Sequence, residues 1–325
     1  MNSRERVMAA ASHQEPDRVP VDMVLTIDVY RDMKRLLKMD HLPDTPRMGH
    51  WTDVQMPLEM IQALDLDMYY ISPRSAKSAH SRQFEDGSFT DEWGCYWKKT
   101  MIDGGHFYFE LQNPPLADAT IEDLEDYEWP DPSDPKRYEG LREEMQMVRD
   151  KSDLAILAKF AGAVFEVATY MRGHERWYRD LVNNQEFAHA LLDKVCKIQK
   201  EIDRVCIDAV GEYVDILRLS GEDLGTQDSP LISPRIFRKV VKPHLEELWV
   251  SAKTELLKKN PQGKVMLHSC GSIRPFIPDL IDCGIDILDP VQPGANHMNR
   301  YELKQEFGDQ IVFHGNIRGT GFVRQ

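Results

Sequence analysis

Short apolar runs alternate along the chain with longer stretches whose apolar positions recur every three or four residues, which is the pattern of strands interleaved with amphipathic helices. Asn2 or Ser3 is placed to cap a first helix, and that helix ends before Pro16 because the residue ahead of a proline is biased away from helical angles. The run VPVDMVL follows at 19–25, with Val19, Val21 and Met23 alternating with Pro20, Asp22 and Val24, and it predicts a buried parallel strand. Residues 57–66 predict a helix that feeds a second strand at 67–72. From 81 to 111 the runs become short, aromatic and β-branched, with turn signals at Glu85-Asp86-Gly87-Ser88 and Asp103-Gly104-Gly105. That stretch predicts an antiparallel β-hairpin excursion. The acids and prolines of 113–137 mark a surface connection containing one short helix capped by Thr120.

From Tyr138 onward, predicted helices at 138–151, 175–209, 234–259, 273–283 and 299–307 separate predicted strands at 154–160, 214–219, 264–268, 285–288 and 310–314. Such alternation implies an α/β fold with a parallel sheet. No glycine-rich phosphate loop follows any strand, so a (β/α)8 TIM barrel is expected over a doubly wound sheet. Seven strands are predicted, and the eighth β/α unit would lie after Gln325. Residues 1–325 are therefore read as one barrel domain, truncated at its C-terminus.

Composition narrows the partners. The 40 Lys and Arg against 54 Asp and Glu leave a net charge of −14, a field that repels phosphate backbones and anionic lipid surfaces, so no nucleic acid and no membrane partner is expected. The most apolar stretch, 154–167, is interrupted by Lys159 and Glu166, and the N-terminus lacks the apolar centre of a signal peptide. A cytoplasmic protein is expected. The five cysteines are odd in number and irregularly spaced, which predicts reduced thiols. Cys95, Cys196, Cys206 and Cys283 read as core residues, and the methionines of the first 70 residues read as packing.

Chemistry in a barrel gathers where strands end, and polar residues recur there: Asp22, Glu222 and Asp223, His268 and Cys270, Asp289 and Gln292, and His314. Within Leu267-His268-Ser269-Cys270-Gly271, strand side chains repeat every two residues, so His268 and Cys270 face one side and Gly271 lets the chain turn away. Imidazole and thiolate converging on one point suit zinc. Glu222, Asp223, Asp289 and His314 are alternative further ligands.

With these residues in view, the chain resembles the uroporphyrinogen decarboxylase superfamily. The resemblance is carried by NSRERVMAAASHQEPDRVPVD, DGSFTDEWGCYWKK, PLADATIEDLEDYEWPDP, GEDLGTQDSPLISPRIFRKVVKP, HSCGSIRPFIPDLIDCGIDILDPVQP and LKQEFGDQIVFHGNI. It implies a barrel with its cleft at the carboxyl ends of the strands. True uroporphyrinogen decarboxylases carry an arginine-rich segment after the first strand that holds the substrate's carboxylates; here that region reads VDMVLTIDVYRDM, with Arg31 as its arginine. The methylcobalamin-dependent methyltransferase branch carries a His-x-Cys pair and a later cysteine that bind zinc, and His268 and Cys270 match the first two. The third would lie after Gln325, and Gly315-Asn316-Ile317-Arg318 departs from the Gly-Gly-Ile-Asp of many relatives.

What this resemblance implies is a methyltransferase that uses zinc on His268 and Cys270, with a methyl group exchanged between a corrinoid on a partner protein and a small-molecule donor or acceptor. Asp22, Glu222, Asp223 and His314 would be catalytic, and Gln227, Asp289 and Gln292 would bind the cofactor. A homodimer stands as a further candidate assembly. The alternatives are a carboxy-lyase in which Asp22 stabilises a protonated ring, and a non-enzymatic barrel that partners a corrinoid protein.

Overall fold

The computed structural model describes residues 1–315, apart from 48, 51 and 75. Ten strands are defined: β1 (Met68–Ile71), β2 (Arg82–Gln83), β3 (Phe89–Thr90), β4 (Tyr96–Met101), β5 (Phe107–Gln112), β6 (Ala155–Ala158), β7 (Ile216–Leu219), β8 (Lys264–His268), β9 (Ile287–Val291) and β10 (Val312–Gly315). Six of them, in the order β1-β6-β7-β8-β9-β10, form one parallel sheet in which each strand pairs with the next one along the chain. The connections from β6 onward are helical, as parallel pairing requires. The sheet is curled, a partial barrel of six parallel strands among the described residues.

The strands are apolar on both faces because both faces are covered. β1 and β6 are buried at every position. On the concave face Met68, Tyr70, Ala155, Leu157, Ile216, Met266 and Ile287 pack together, and Val7 and Ala11 from the first helix, α1 (Ser3–Ala10), and the residue that follows it close that interior from below. Asn2 caps α1 with a reciprocal bond to Glu5, as its sequence suggests. The convex face belongs to the main core with the helices. Cys196 and Cys206 lie on the buried side of the helix Gln185–Val210, and Cys95 and Cys283 are buried as well. Among the described residues no helix is long and apolar enough to cross a membrane.

Three expectations need correction. The run 19–25 is extended but joins no ladder; Pro20 has no N–H to give, and the Val21 N–H donates to the Asp67 carboxylate at 2.7 Å instead of to a strand carbonyl. Its link to the sheet edge is the Asp67 N–H donating to the Val21 carbonyl at 2.8 Å, and Val19, Val21, Met23 and Val24 stay exposed. The predicted helix 175–209 is two helices, His174–Asn183 and Gln185–Val210, broken at Asn184, whose backbone (φ −140°, ψ 59°) leaves the helical region. The excursion at 81–111 is a four-stranded antiparallel sheet, β2-β3-β4-β5, rather than one hairpin. Residues 316–318 lie outside the described residues.

Candidate active site

Period-two alternation turns a strand's next inward residue from apolar to polar at the carboxyl end of the sheet. On β8 the inward residues are Met266 and then His268, on β9 Ile287 and then Asp289, on β7 Ile216 and then Arg218, and on β10 Val312 and then His314. His268 and Asp289 are direct partners across β8 and β9, so their side chains share one face. The apolar interior therefore ends under a layer of ionisable groups.

Asp289 is the centre of that layer. One carboxylate oxygen accepts from His268 Nδ1 at 2.8 Å and from Arg218 at 3.0 and 3.2 Å, and the other accepts from His314 Nδ1 at 2.8 Å. Burial opposes ionisation here, but the bonds to His268 and His314 and the charge of Arg218 outweigh it, holding Asp289 far below the usual carboxylate range. His314 also reaches toward Asp22, with Nε2 at 3.4 Å from the carboxylate. Burial would lower its pKa, but the carboxylates of Asp22 and Asp289 prevail and hold it up to about 10. Asp22 in turn accepts from the Tyr70 hydroxyl, while its other oxygen is buried with no partner among the described residues.

Beside this network lie Asp223, His268 and Cys270, whose ligand atoms all fall within 4.8 Å of one another. His268 Nε2 is 3.4 Å from Cys270 Sγ and 3.7 Å from Asp223 Oδ1. With Nδ1 donating to Asp289, Nε2 is turned toward the thiol and the Asp223 carboxylate. Burial first, and the negative charge of Asp223 second, push the Cys270 thiol up to about 12. A divalent cation would favour the thiolate. The turn after Cys270 needs Gly271 at φ +87°, where a side chain would run into the Gly225 carbonyl.

The other expected residues stand behind this set. Glu222 is buried and accepts from the amides of Val164 and Phe165 at 2.7 and 2.8 Å, so it anchors the loop after β6 and is not part of the Asp223-His268-Cys270 group. Burial raises its pKa to about 8 against the pull of those amides. Gln292 accepts from the Gly271 amide at 2.8 Å and from Gln227 at 3.4 Å, which ties together the loops after β7, β8 and β9.

Five groups escaped the sequence reading: Tyr70, Arg218, Lys159, Glu166 and Arg47. The signal was present for two of them, since Arg218 and Lys159 continue the inward register of Ile216 and Leu157. Glu166 is pushed well above the ordinary range by burial, with Asp223 and Glu222 adding to the effect. Arg47 lies over the Tyr70 ring, 5.1 Å from its centroid. A separate surface cleft of about 510 Å³ beside α1 contains Arg6 and Arg18, but both are already paired with Asp17, Asp65 or Asp67.

Residues 104–323 match the family model described as uroporphyrinogen decarboxylase (URO-D). The chain belongs to the uroporphyrinogen decarboxylase family. Among solved structures, a methyltransferase from Methanosarcina mazei shares this family fold at a TM-score of 0.53 and 18% identity, with 89% of this chain and 76% of that one covered. A protein from Thermus thermophilus aligns at a TM-score of 0.30 and 11% identity, over 76% of this chain and 46% of that one. No curated protein sequence matches the chain. The family match spans β5 to β10 and so includes every group named above from Lys159 to His314.

Proposed function

We propose that the chain is a methyltransferase of the uroporphyrinogen decarboxylase family, acting with zinc and with a corrinoid carried by a partner protein. The observation that supports this reading is the donor set of Asp223, His268 and Cys270, one oxygen, one nitrogen and one sulfur within 4.8 Å, with the histidine aimed by Asp289. Three protein ligands of these kinds suit zinc and leave a fourth position for a small molecule. Zinc, when bound, supplies the charge that turns a coordinated thiol into a thiolate nucleophile toward a methyl group.

The chain's own residues hold and orient. Asp289 fixes the His268 tautomer and ties it to Arg218 and His314. Gly271 and Gln292 set the turn that presents Cys270. Tyr70, Asp22 and His314 are linked to one another beside Asp289, where a charged donor or acceptor would be positioned. The methyltransferase name of the Methanosarcina mazei structure agrees with this reading, and the reading itself rests on the site.

A carboxy-lyase is the second reading, favoured by the unpartnered buried oxygen of Asp22. The deciding experiment is elemental analysis of protein purified without added metal, compared with a His268→Ala, Cys270→Ala variant of matching circular dichroism. About one zinc per chain that disappears in the folded variant is expected. Turnover is then followed as thiol-dependent loss of the methyl-cobalt absorption of methylcobalamin. Absence of zinc, or carbon dioxide release from uroporphyrinogen without it, overturns the methyl-transfer reading.

A further inference from the structure

Within Leu267-His268-Ser269-Cys270-Gly271 the middle residue turns away from its neighbours. His268 and Cys270 converge on Asp223, and period-two alternation sends the Ser269 side chain to the other side, where it is wholly buried. Its amide donates to the Asp289 carbonyl at 2.7 Å, so the pairing of β8 with β9 runs on through it. Its hydroxyl serves a different segment. Ser269 Oγ donates to the Glu222 carbonyl at 2.6 Å and accepts from the Leu224 amide at 3.4 Å. The residue between those two contacts is Asp223.

The same two segments are joined twice more. The Glu222 amide donates to the His268 carbonyl at 2.9 Å, and the Cys270 amide donates to Asp223 Oδ1 at 2.8 Å. Asp223 comes from the loop after β7, so its place beside His268 and Cys270 depends on how that loop is fastened to the end of β8. The Glu222 side chain is engaged elsewhere, with the amides of Val164 and Phe165. Glu222 and Leu224 are both buried, so a carbonyl and an amide that lost the Ser269 hydroxyl would have to find new partners away from water. A hydroxyl donates and accepts at once, which is what the backbone on the two sides of Asp223 requires.

We propose that Ser269 is a positioning residue for the metal site: its hydroxyl clamps the backbone on both sides of Asp223 and so brings the third ligand to the two that flank Ser269 in sequence. His268, Ser269 and Cys270 then act as a unit, in which the outer two residues supply ligands and the middle one recruits the carboxylate. The inference deepens the functional reading by saying how the donor set is assembled, and it rests on that reading for zinc as the ion bound.

The test is a double-mutant cycle on zinc affinity, measured by competition with a chromophoric chelator in wild type, Ser269→Ala, Asp223→Ala and the double variant, with urea unfolding of the metal-stripped proteins alongside. Ser269→Ala is expected to weaken zinc roughly 10–100-fold in the wild-type background, and by less than about threefold once Asp223 is already alanine. Ser269→Thr, which keeps the hydroxyl, should recover most of the affinity. Cobalt(II) in place of zinc should retain its sulfur-to-metal charge-transfer band in Ser269→Ala, because Cys270 still binds. Unchanged affinity in Ser269→Ala would overturn the proposal, and so would an equal loss in both backgrounds, since the hydroxyl would then serve the fold and not the ligand. Loss of the charge-transfer band would overturn it as well, by moving the effect to Cys270. Should Ser269→Ala fail to fold, Ser269→Cys, which fills the space with a weak donor, is judged by the same affinity criteria. A wild-type protein that takes up no zinc would overturn this inference and the functional reading together, whereas coupled zinc binding in a protein without methyl-transfer activity would sink the functional reading and leave the role of Ser269 standing.

Discussion

His268 donates from Nδ1 to Asp289 at 2.8 Å, and this bond turns its other nitrogen toward the Cys270 sulfur, 3.4 Å away. The carboxylate therefore orders a ligand of the proposed metal site without itself joining it. Asp289→Asn keeps the size of the side chain but removes the charge that orders His268, Arg218 and His314. Zinc affinity, measured by competition with a chromophoric chelator, is expected to fall roughly 10–100-fold. Stability is expected to fall by about 3 kcal/mol, since Arg218 is left partly buried without its counter-ion.

Glu222→Ala should behave in the opposite way. It strips the amides of Val164 and Phe165 of their acceptor, at a cost of roughly 2–5 kcal/mol in urea unfolding. Zinc stoichiometry of the folded fraction should stay at the wild-type value. Loss of zinc with unchanged stability would place Glu222 among the ligands after all.

Alkaline pH should weaken the seam between β10 and the segment that carries Asp22. The pKa of His314 is raised from 6.5 to about 10 in the folded state, so its contribution to stability is present in full below about pH 6.5. That contribution declines progressively as pH rises to 10 and is gone above it. The unfolding free energies of wild type and His314→Gln, compared at pH 6 and pH 10.5, should differ at the first and converge at the second. A gap that is constant with pH would mean that His314 is not held protonated by Asp22 and Asp289.

Gly271→Ala combines a backbone angle of φ +87° with a collision against Gly225. A loss of about 2 kcal/mol or more is expected, together with impaired zinc retention, because the strained turn presents Cys270. Thermal melting alongside elemental analysis reads both effects. A variant that melts normally and keeps its zinc would show that the turn has room to relax.

Most of the barrel was legible because buried parallel strands announce themselves as short apolar runs, and the five strands after Tyr138 appear where those runs stand. The segment 19–25 misled because apolar content says nothing about which partner takes an amide. Asp67, the residue just before β1, takes the one at Val21. His268 and Cys270 could be placed together from spacing alone, since a strand repeats every two residues. Asp223 could be one ligand among several, for its proximity comes from the close approach of the Gly225 and Gly271 backbones in separate loops. Lys159 and Glu166 were weighed as interruptions of an apolar stretch, whereas their use depends on which face they take and on what surrounds it.

The abrupt change from apolar to charged within two residues of each strand also bears on how the sheet finds its register. Met266 pairs with Ile287 and His268 with Asp289. Sliding β8 by one residue would drive His268 into the helix-packed shell, and sliding it by two would set it beside Ile287 with its hydrogen-bond acceptor out of reach. The residues of the candidate site therefore proofread the alignment of the strands, and a misregistered sheet would be recognisable as one in which the proposed metal ligands no longer meet.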